Sequence, residues 1–199
     1  MTVKPVVKML YNRPVIPAVR TPEDYEFALH HTDAPSIIVL FGDILALPHL
    51  VEQAKQTHKR LIVHLDLMDG VGKDASGVKF LARSGVGAMI TTKAHLAKVG
   101  WQEGMLVIQR LFLMDSEALR IGMGLLAKYK PDAIEVLPGV VPAAVISELA
   151  RVTGLPVLGG GLITTQHDVD QAIANGLCAV STSKRELWLP PPLLRVVAK

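Results

Sequence analysis

A strand and a helix recur eight times along the 199 residues, the strand segments read as continuous apolar runs, and the loops best suited to an anion follow the last two strands. Together these predict an α/β chain folded as a TIM-barrel-like (β/α) barrel with seven or eight parallel strands, since parallel strands need crossover helices and are buried on both faces. A doubly wound open sheet competes with it. That arrangement wants a glycine fingerprint after the first strand, and none is there, whereas a barrel favours phosphate loops after strands seven and eight.

Half of the residues are hydrophobic and the mean hydropathy is +0.35, which suits doubly buried strands in one domain with a large core. The net charge of +3 permits a nucleic-acid partner without arguing for one. No apolar run approaches the ~20 residues of a membrane span, and the N-terminus lacks a secretory pattern, so a cytoplasmic chain is expected. Cys178 stands alone, which excludes an internal disulfide and thiolate metal spacing, and reads as a small buried strand residue.

In chain order, residues 1–13 read as an N-terminal arm with solvated cations, 14–189 as the barrel and 190–199 as a C-terminal tail opened by three prolines. Strand one covers 15–19. Arg20 follows, then Thr21 as cap, Pro22 in the first turn and acidic Glu23 and Asp24, a helix start whose helix ends near His31. Strand two covers 36–41 and stops at Gly42 and Asp43. Leu47, Leu50, Val51 and Ala54 form the core face of the next helix, with Lys55, Lys59 and Arg60 near its end, where cations complement the dipole.

Strand three covers 61–67 and places His64 and Asp66, two residues apart, on the same side. A helix around 76–83 leads to strand four at 88–91, to Thr92 and Lys93, and to a short helix ending at Val99. Strand five, 105–109, runs through Arg110 and Phe112 to a cap at Asp115 or Ser116, and Leu119, Met123 and Leu126 mark the buried stripe beyond. Strand six, 132–136, is apolar except for Glu135. Pro138, Gly139 and Pro142 turn it into a helix bearing Val145, Ile146, Leu149 and Val152. Strand seven, 156–158, stops at Gly159, Gly160 and Gly161, before a helix capped by Thr165 and Asp168 with Val169, Ala172, Ile173 and Gly176 on one face. Strand eight, 178–180, ends in Ser181, Thr182 and Ser183, and a helix could begin at Lys184.

A barrel gathers its C-terminal strand ends at one mouth: Arg20, Asp43, His64, Asp66, Lys93, Gln109, Arg110, Glu135, Gly160, Gly161, Thr182 and Ser183. Glycines let backbone N–H groups approach an anion, and hydroxyls add donors. The plainer alternative there is a tight turn with an ordinary helix cap. Glu135 facing hydrocarbon would cost several kcal/mol unless partnered. Either it pairs inside the barrel with Arg20 or Arg110, or it accepts from a ligand hydroxyl. His64 and Asp66 read as an acid–base pair, as ligand-orienting groups or as satisfied core polar groups. As metal ligands they would need Glu135 as a third, and no second histidine stands at a strand end, so no metal site is assigned.

Five blocks occur in order: VIPAVR (15–20), VHLDLMDGV (63–71), IQRLFLMDS (108–116), KPDAIEVLPGVVP (130–142) and GGGLITTQHDVDQAIANG (159–176). In them the chain resembles the glycerol uptake operon antiterminator regulatory proteins over about 15–188. The separation of IQRLFLMDS from IEVLPGVVP is the specific part. The resemblance implies a TIM-barrel-like regulator without turnover, with glycerol 3-phosphate as effector and no other cofactor. It also implies binding to the leader mRNA of glycerol-catabolism genes, which prevents premature transcription termination. It further implies arginines where this chain has Thr164 and Lys93, and neither a hydroxyl nor a point-charge lysine reproduces a bidentate fork.

The expected site follows from both lines. Gly160, Gly161, Thr182 and Ser183 hold the phosphate, Glu135, His64 or Asp66 reads the glycerol hydroxyls, and Arg20 and Arg110, with Lys93, supply charge. RNA contact rests on the resemblance, because aromatics are only 5% and no RRM or KH signature or basic run is present. Its candidates are Lys55, Lys59, Arg60, Lys184 and Arg185, each pair of which reads more simply as a solvated helix end. A homo-oligomer would assemble a basic surface that one chain lacks. The competing class is a phosphosugar isomerase, epimerase or aldolase-like barrel enzyme, with Asp66, His64 or Glu135 as acid or base and Lys93 as Schiff-base former. Fold alone does not separate the two.

Overall fold

The structure is a computed structural model that describes residues 11–190. The expected arm is thus described only from Tyr11 and the expected tail only at Pro190. The rest of both lies outside the described residues.

Strands β1 (Val15–Val19), β2 (Ser36–Val39), β3 (Arg60–His64), β4 (Ala88–Thr91), β5 (Leu106–Phe112), β6 (Ala133–Leu137), β7 (Val157–Gly160) and β8 (Ala179–Thr182) pair in sequence order, each neighbour parallel. The barrel closes where β8 pairs with β1, Ile16 opposite Ser181. Helices α1 (Pro22–His31), α2 (Leu47–Gln56), α3 (Ala75–Arg83), α4 (Ala97–Gln102), α5 (Ser116–Tyr129), α6 (Ala143–Thr153) and α7 (Gln166–Ala174) fill the crossovers. After β8 the described residues form only a 3-10 turn, Arg185–Leu187. The fold is a TIM-barrel-like α/β barrel with eight strands.

Several helices begin where the sequence places a cap. Thr21 Oγ1 accepts from the Asp24 N–H at 3.1 Å, and Asp115 Oδ1 accepts from the Ala118 N–H at 2.7 Å. Thr165 and Asp168 form the reciprocal capping box. Strand side chains alternate between two apolar environments. Ile16, Ile38, Ile62, Ile90, Ile108 and Leu158, with alanines 18, 88, 133 and 179, pack together inside the barrel. Val19, Val39, Val63, Met89 and Val107 turn outward onto the helices, where Tyr25, Leu50, Val51 and Leu81 meet them.

Several expectations change: strand five runs on to Phe112, and Cys178 lies just before β8 and is only partly buried. Strand three does not continue to Leu67: it ends at His64, and Leu65–Leu67 is a 3-10 turn. The two-residue alternation that put His64 and Asp66 on one side therefore lapses between them. Strand two ends at Val39 rather than at Phe41. Val152 is 51% exposed, because α6 buries only Ile146 and Leu149.

Gly77, at the start of α3, abuts the preceding loop: a Cβ there would stand 1.7 Å from the Gly72 carbonyl oxygen. Gly77→Ala is expected to destabilise the barrel by about 1–3 kcal/mol, read as a lower urea midpoint. An unchanged midpoint would mean that the loop yields without cost.

Candidate functional site

Two residues beyond the inner apolar layers, the inward register reaches Leu40, His64, Arg110, Glu135, Gly160 and Ser181. The barrel interior turns polar at its C-terminal end. Glu135 is 1% exposed and lies in register with Arg110 on the neighbouring strand. Arg110 Nε donates to Glu135 Oε2 at 2.7 Å and a second guanidinium nitrogen lies at the same distance, while Ser181 Oγ donates to Oε1 at 2.8 Å. The internal partner is Arg110 and not Arg20.

Gly160 serves this pair. A Cβ there would sit 2.7 Å from Ser181 Oγ and 2.8 Å from Glu135 Oε1. Gly159 is likewise required by packing, since its Cβ would meet Leu177 at 2.5 Å. Of the triple glycine only Gly161 needs its conformational freedom, at φ +69°, and Leu162 follows at φ +58°. These two left-handed residues turn the chain at the rim of a cavity of about 140 Å³.

Residues 161–164 and 181–184 wall the cavity, with Arg20, Arg110, Ala18, Leu40 and Leu137. Arg20 is exposed and enters no ion pair among the described residues. Thr182 Oγ1 donates to the Ile163 carbonyl at 2.7 Å and accepts from the Lys184 N–H at 3.2 Å, so it ties β8 to the loop after β7. Thr164 turns its hydroxyl away, onto Asp168 Oδ2 at 3.0 Å. Hydrogen bonds from Thr164 and Thr165, led by their backbone N–H groups, push the Asp168 carboxyl down to about 2.

His64, Asp66 and Lys93 lie off the cavity wall. Asp66 accepts from Thr91 Oγ1 at 2.9 Å, from the Thr92 N–H at 2.7 Å and from Thr92 Oγ1 at 2.9 Å, so it clasps the loop after β3 to the end of β4. Burial favours its protonated form, but these hydrogen bonds outweigh that and hold it below the usual carboxylate range. His64 is 3% exposed and neither ring nitrogen has a partner among the described residues. Burial first, and then the Arg110 charge, lower its pKa to about 4, so the imidazole is neutral at physiological pH. Lys93 directs its backbone N–H to Thr91 Oγ1 at 3.1 Å. Among the described residues no group of three or more His, Cys, Asp or Glu is placed to hold a metal.

The basic candidates fall at opposite ends of the barrel. Lys55, Lys59 and Arg60 lie at the N-terminal end, where Lys59 Nζ donates to the Thr32 and Ala34 carbonyls, both at 2.8 Å, and burial lowers its pKa. Lys184 is exposed at the mouth. Arg185 is engaged by Asp24 and by Glu23 at 3.1 Å and stacks 5.3 Å from the Phe27 ring, which ties the last turn to α1. Sequence reasoning missed Ser181 as the partner of Glu135 and residues 162–164 as cavity wall. The inward register of Ser181 was the available signal for the first. No helix among the described residues is long and apolar enough to cross a membrane.

Glu135→Ala leaves the Arg110 guanidinium buried without its counter-ion and is expected to cost about 3–5 kcal/mol in urea unfolding, with part recovered when Arg110→Met is added. A single variant as stable as wild type would show that the pair contributes nothing. His64 titrates at about 4 in the fold against 6.5 when unperturbed, so the folded chain binds fewer protons between those values. Its contribution is complete above pH 6.5 and is lost as pH falls towards 4. His64→Leu is expected to flatten that part of the stability profile, and a slope equal to wild type would count against the buried neutral imidazole.

The family model of the glycerol-3-phosphate responsive antiterminators matches residues 15–188. The Escherichia coli (strain K12) protein YgcP is 31% identical over 185 residues, covering 92% of this chain and 96% of its own. The crystal structure of a glycerol uptake operon antiterminator regulatory protein from Listeria monocytogenes superposes with a TM-score of 0.84 at 35% identity, over 89% of this chain and 95% of that one. A glycerol uptake operon antiterminator-related protein from Thermotoga maritima gives 0.79 at 26%, over 88% and 98%. Deoxyribose phosphate aldolase from Aeropyrum pernix, at 14% identity and 0.67 over 85% of each chain, shares the fold alone. An eight-stranded barrel matched along nearly its whole described length by one family model belongs to that family: the chain is a member of the glycerol-3-phosphate responsive antiterminators.

Proposed function

We propose that this protein senses glycerol 3-phosphate at the barrel mouth and, in the cytoplasm, controls antitermination by binding the leader mRNA of glycerol-catabolism genes. The observation that carries the ligand part is the composition of the mouth cavity: Arg20, Arg110 and Lys184 line it, and among the described residues no carboxylate does. An anion is the complement of such a wall. In this reading the barrel, 14–189, is the sensing domain. The phosphate takes the turn at Gly161 and the Ser183–Lys184 segment, with Arg20 as its charged partner.

Arg110 keeps further N–H donors beyond those given to Glu135, because a guanidinium has five. Glu135 sets the direction of Arg110 rather than touching the ligand, since both its oxygens are engaged. Of the three residues expected to read the glycerol hydroxyls, only His64 has uncommitted polar atoms. Asp66 and Glu135, the acid–base candidates of a phosphosugar enzyme, are committed to hydrogen bonds, which favours a site that binds over one that transforms.

Calorimetric titration is expected to show saturable binding of glycerol 3-phosphate by the wild type and binding about tenfold weaker in Arg20→Ala. No heat from the wild type, or equal affinity in Arg20→Ala and Lys184→Ala, would remove the ligand reading. A gel shift with a terminator-bearing leader transcript is expected to depend on the ligand, and a transcript never retarded would remove the RNA reading.

A further inference from the structure

The other end of the barrel holds a larger cleft, of about 430 Å³, that the proposed ligand site does not use. It opens where β3, β4 and β5 begin. Lys55, Lys59 and Arg60 line it, over an apolar floor that includes Val51, Leu61 and Leu106, and among the described residues no carboxylate does. Lys59 lines the cleft and is held in place by its bonds to the Thr32 and Ala34 carbonyls. Lys55 and Arg60 are exposed.

The wall contains a glycine that the chain's own packing does not demand. Gly87 has no positive φ, and a Cβ there would meet nothing within 4 Å. A side chain at this position would project into open space at the cleft wall. The volume lies within the 300–1,000 Å³ typical of sites that take an organic ligand rather than a bare ion. Cations at the edge and hydrocarbon beneath fit a phosphate attached to a flat, partly apolar ring. Tyr11 packs against the inner barrel cluster and adjoins Cys178, just ahead of β8, so the chain arrives at this same end.

We propose that this cleft is the docking site of the RNA: a phosphodiester of a single strand takes the edge formed by Lys55, Lys59 and Arg60, and an unstacked base lies on the apolar floor. The inference rests on the RNA-regulator reading above and adds the surface to it. A single strand is specified because an unpaired base can be splayed into a cleft that a duplex cannot enter. The effector and the RNA then occupy opposite ends of one barrel, and both are bound at once.

Fluorescence anisotropy of the labelled leader transcript against the full chain, at several salt concentrations with glycerol 3-phosphate present, tests this. Lys55→Glu with Arg60→Glu is expected to weaken RNA binding about tenfold or more, and to shallow the log–log salt slope by about 0.7 for each phosphate that the variant no longer neutralises. Gly87→Leu, which fills the cleft without changing charge, is expected to weaken binding as well. Calorimetric binding of glycerol 3-phosphate by both variants at wild-type affinity shows that the barrel is intact. Photocrosslinks from a 4-thiouridine transcript on the wild type are expected within 51–61 and 85–106. Wild-type RNA affinity in both variants, or crosslinks confined to the mouth loops, would overturn the cleft and leave RNA regulation standing. A wild type that binds the ligand but no RNA would overturn both.

Discussion

Glu135 is held from two sides, by the Arg110 guanidinium and by the Ser181 hydroxyl, and the C-terminal end of the barrel is arranged around that bond set. A carboxylate at this depth is tolerable only if both oxygens are engaged. The partners come from β5, the neighbour on one side, and from β8, two strands away on the other, so the contact fastens β6 to a strand with which it does not pair. Space for the contact comes from β7, where Gly160 presents no side chain to the pair. Four consecutive strands thus contribute to one polar contact directly above apolar layers.

Around this contact the polar groups divide by what they are bound to. Asp66 is saturated by the Thr91 and Thr92 donors and joins two loops. Thr182 joins β8 to the loop after β7, and Arg185 joins the last turn to α1. These bonds are made within the chain and rigidify the rim. Arg20 and Lys184 line the cavity and are exposed, on strand ends and loops that these bonds brace. His64 is different again: a buried imidazole without a hydrogen bond is a destabilising feature of about 1–3 kcal/mol that the surrounding packing offsets.

The two ends of the barrel differ in chemistry as well as in place. The mouth cavity is small, hydroxyl-rich and walled by backbone turns, while the opposite cleft is wider and more apolar, with lysines and an arginine at its edge. Between them lies the packed interior of isoleucine, leucine and alanine, a medium that transmits displacement because it is close-packed. A deoxyribose phosphate aldolase at 14% identity shares this frame, which is why the family match and the cavity, not the fold, carry the functional argument.

Much of the architecture was legible from neighbouring residues. Caps at Thr21, Asp115 and Thr165 and apolar runs at parallel-strand length depend on hydrogen bonds and periodicities that close within a few residues, so the barrel and the starts of these helices could be read along the chain. The polar residues of the mouth were legible as a set, but their pairing was not. That Glu135 takes Arg110 rather than Arg20, that Gly160 leaves room for Ser181 and Glu135, and that a 3-10 turn replaces strand between His64 and Asp66 all depend on which strand lies alongside and where the backbone is redirected. Strand register and turn direction are settled by contacts between residues some 20 to 50 positions apart, as the separation of 46 between Ser181 and Glu135 shows, and no local pattern encodes them.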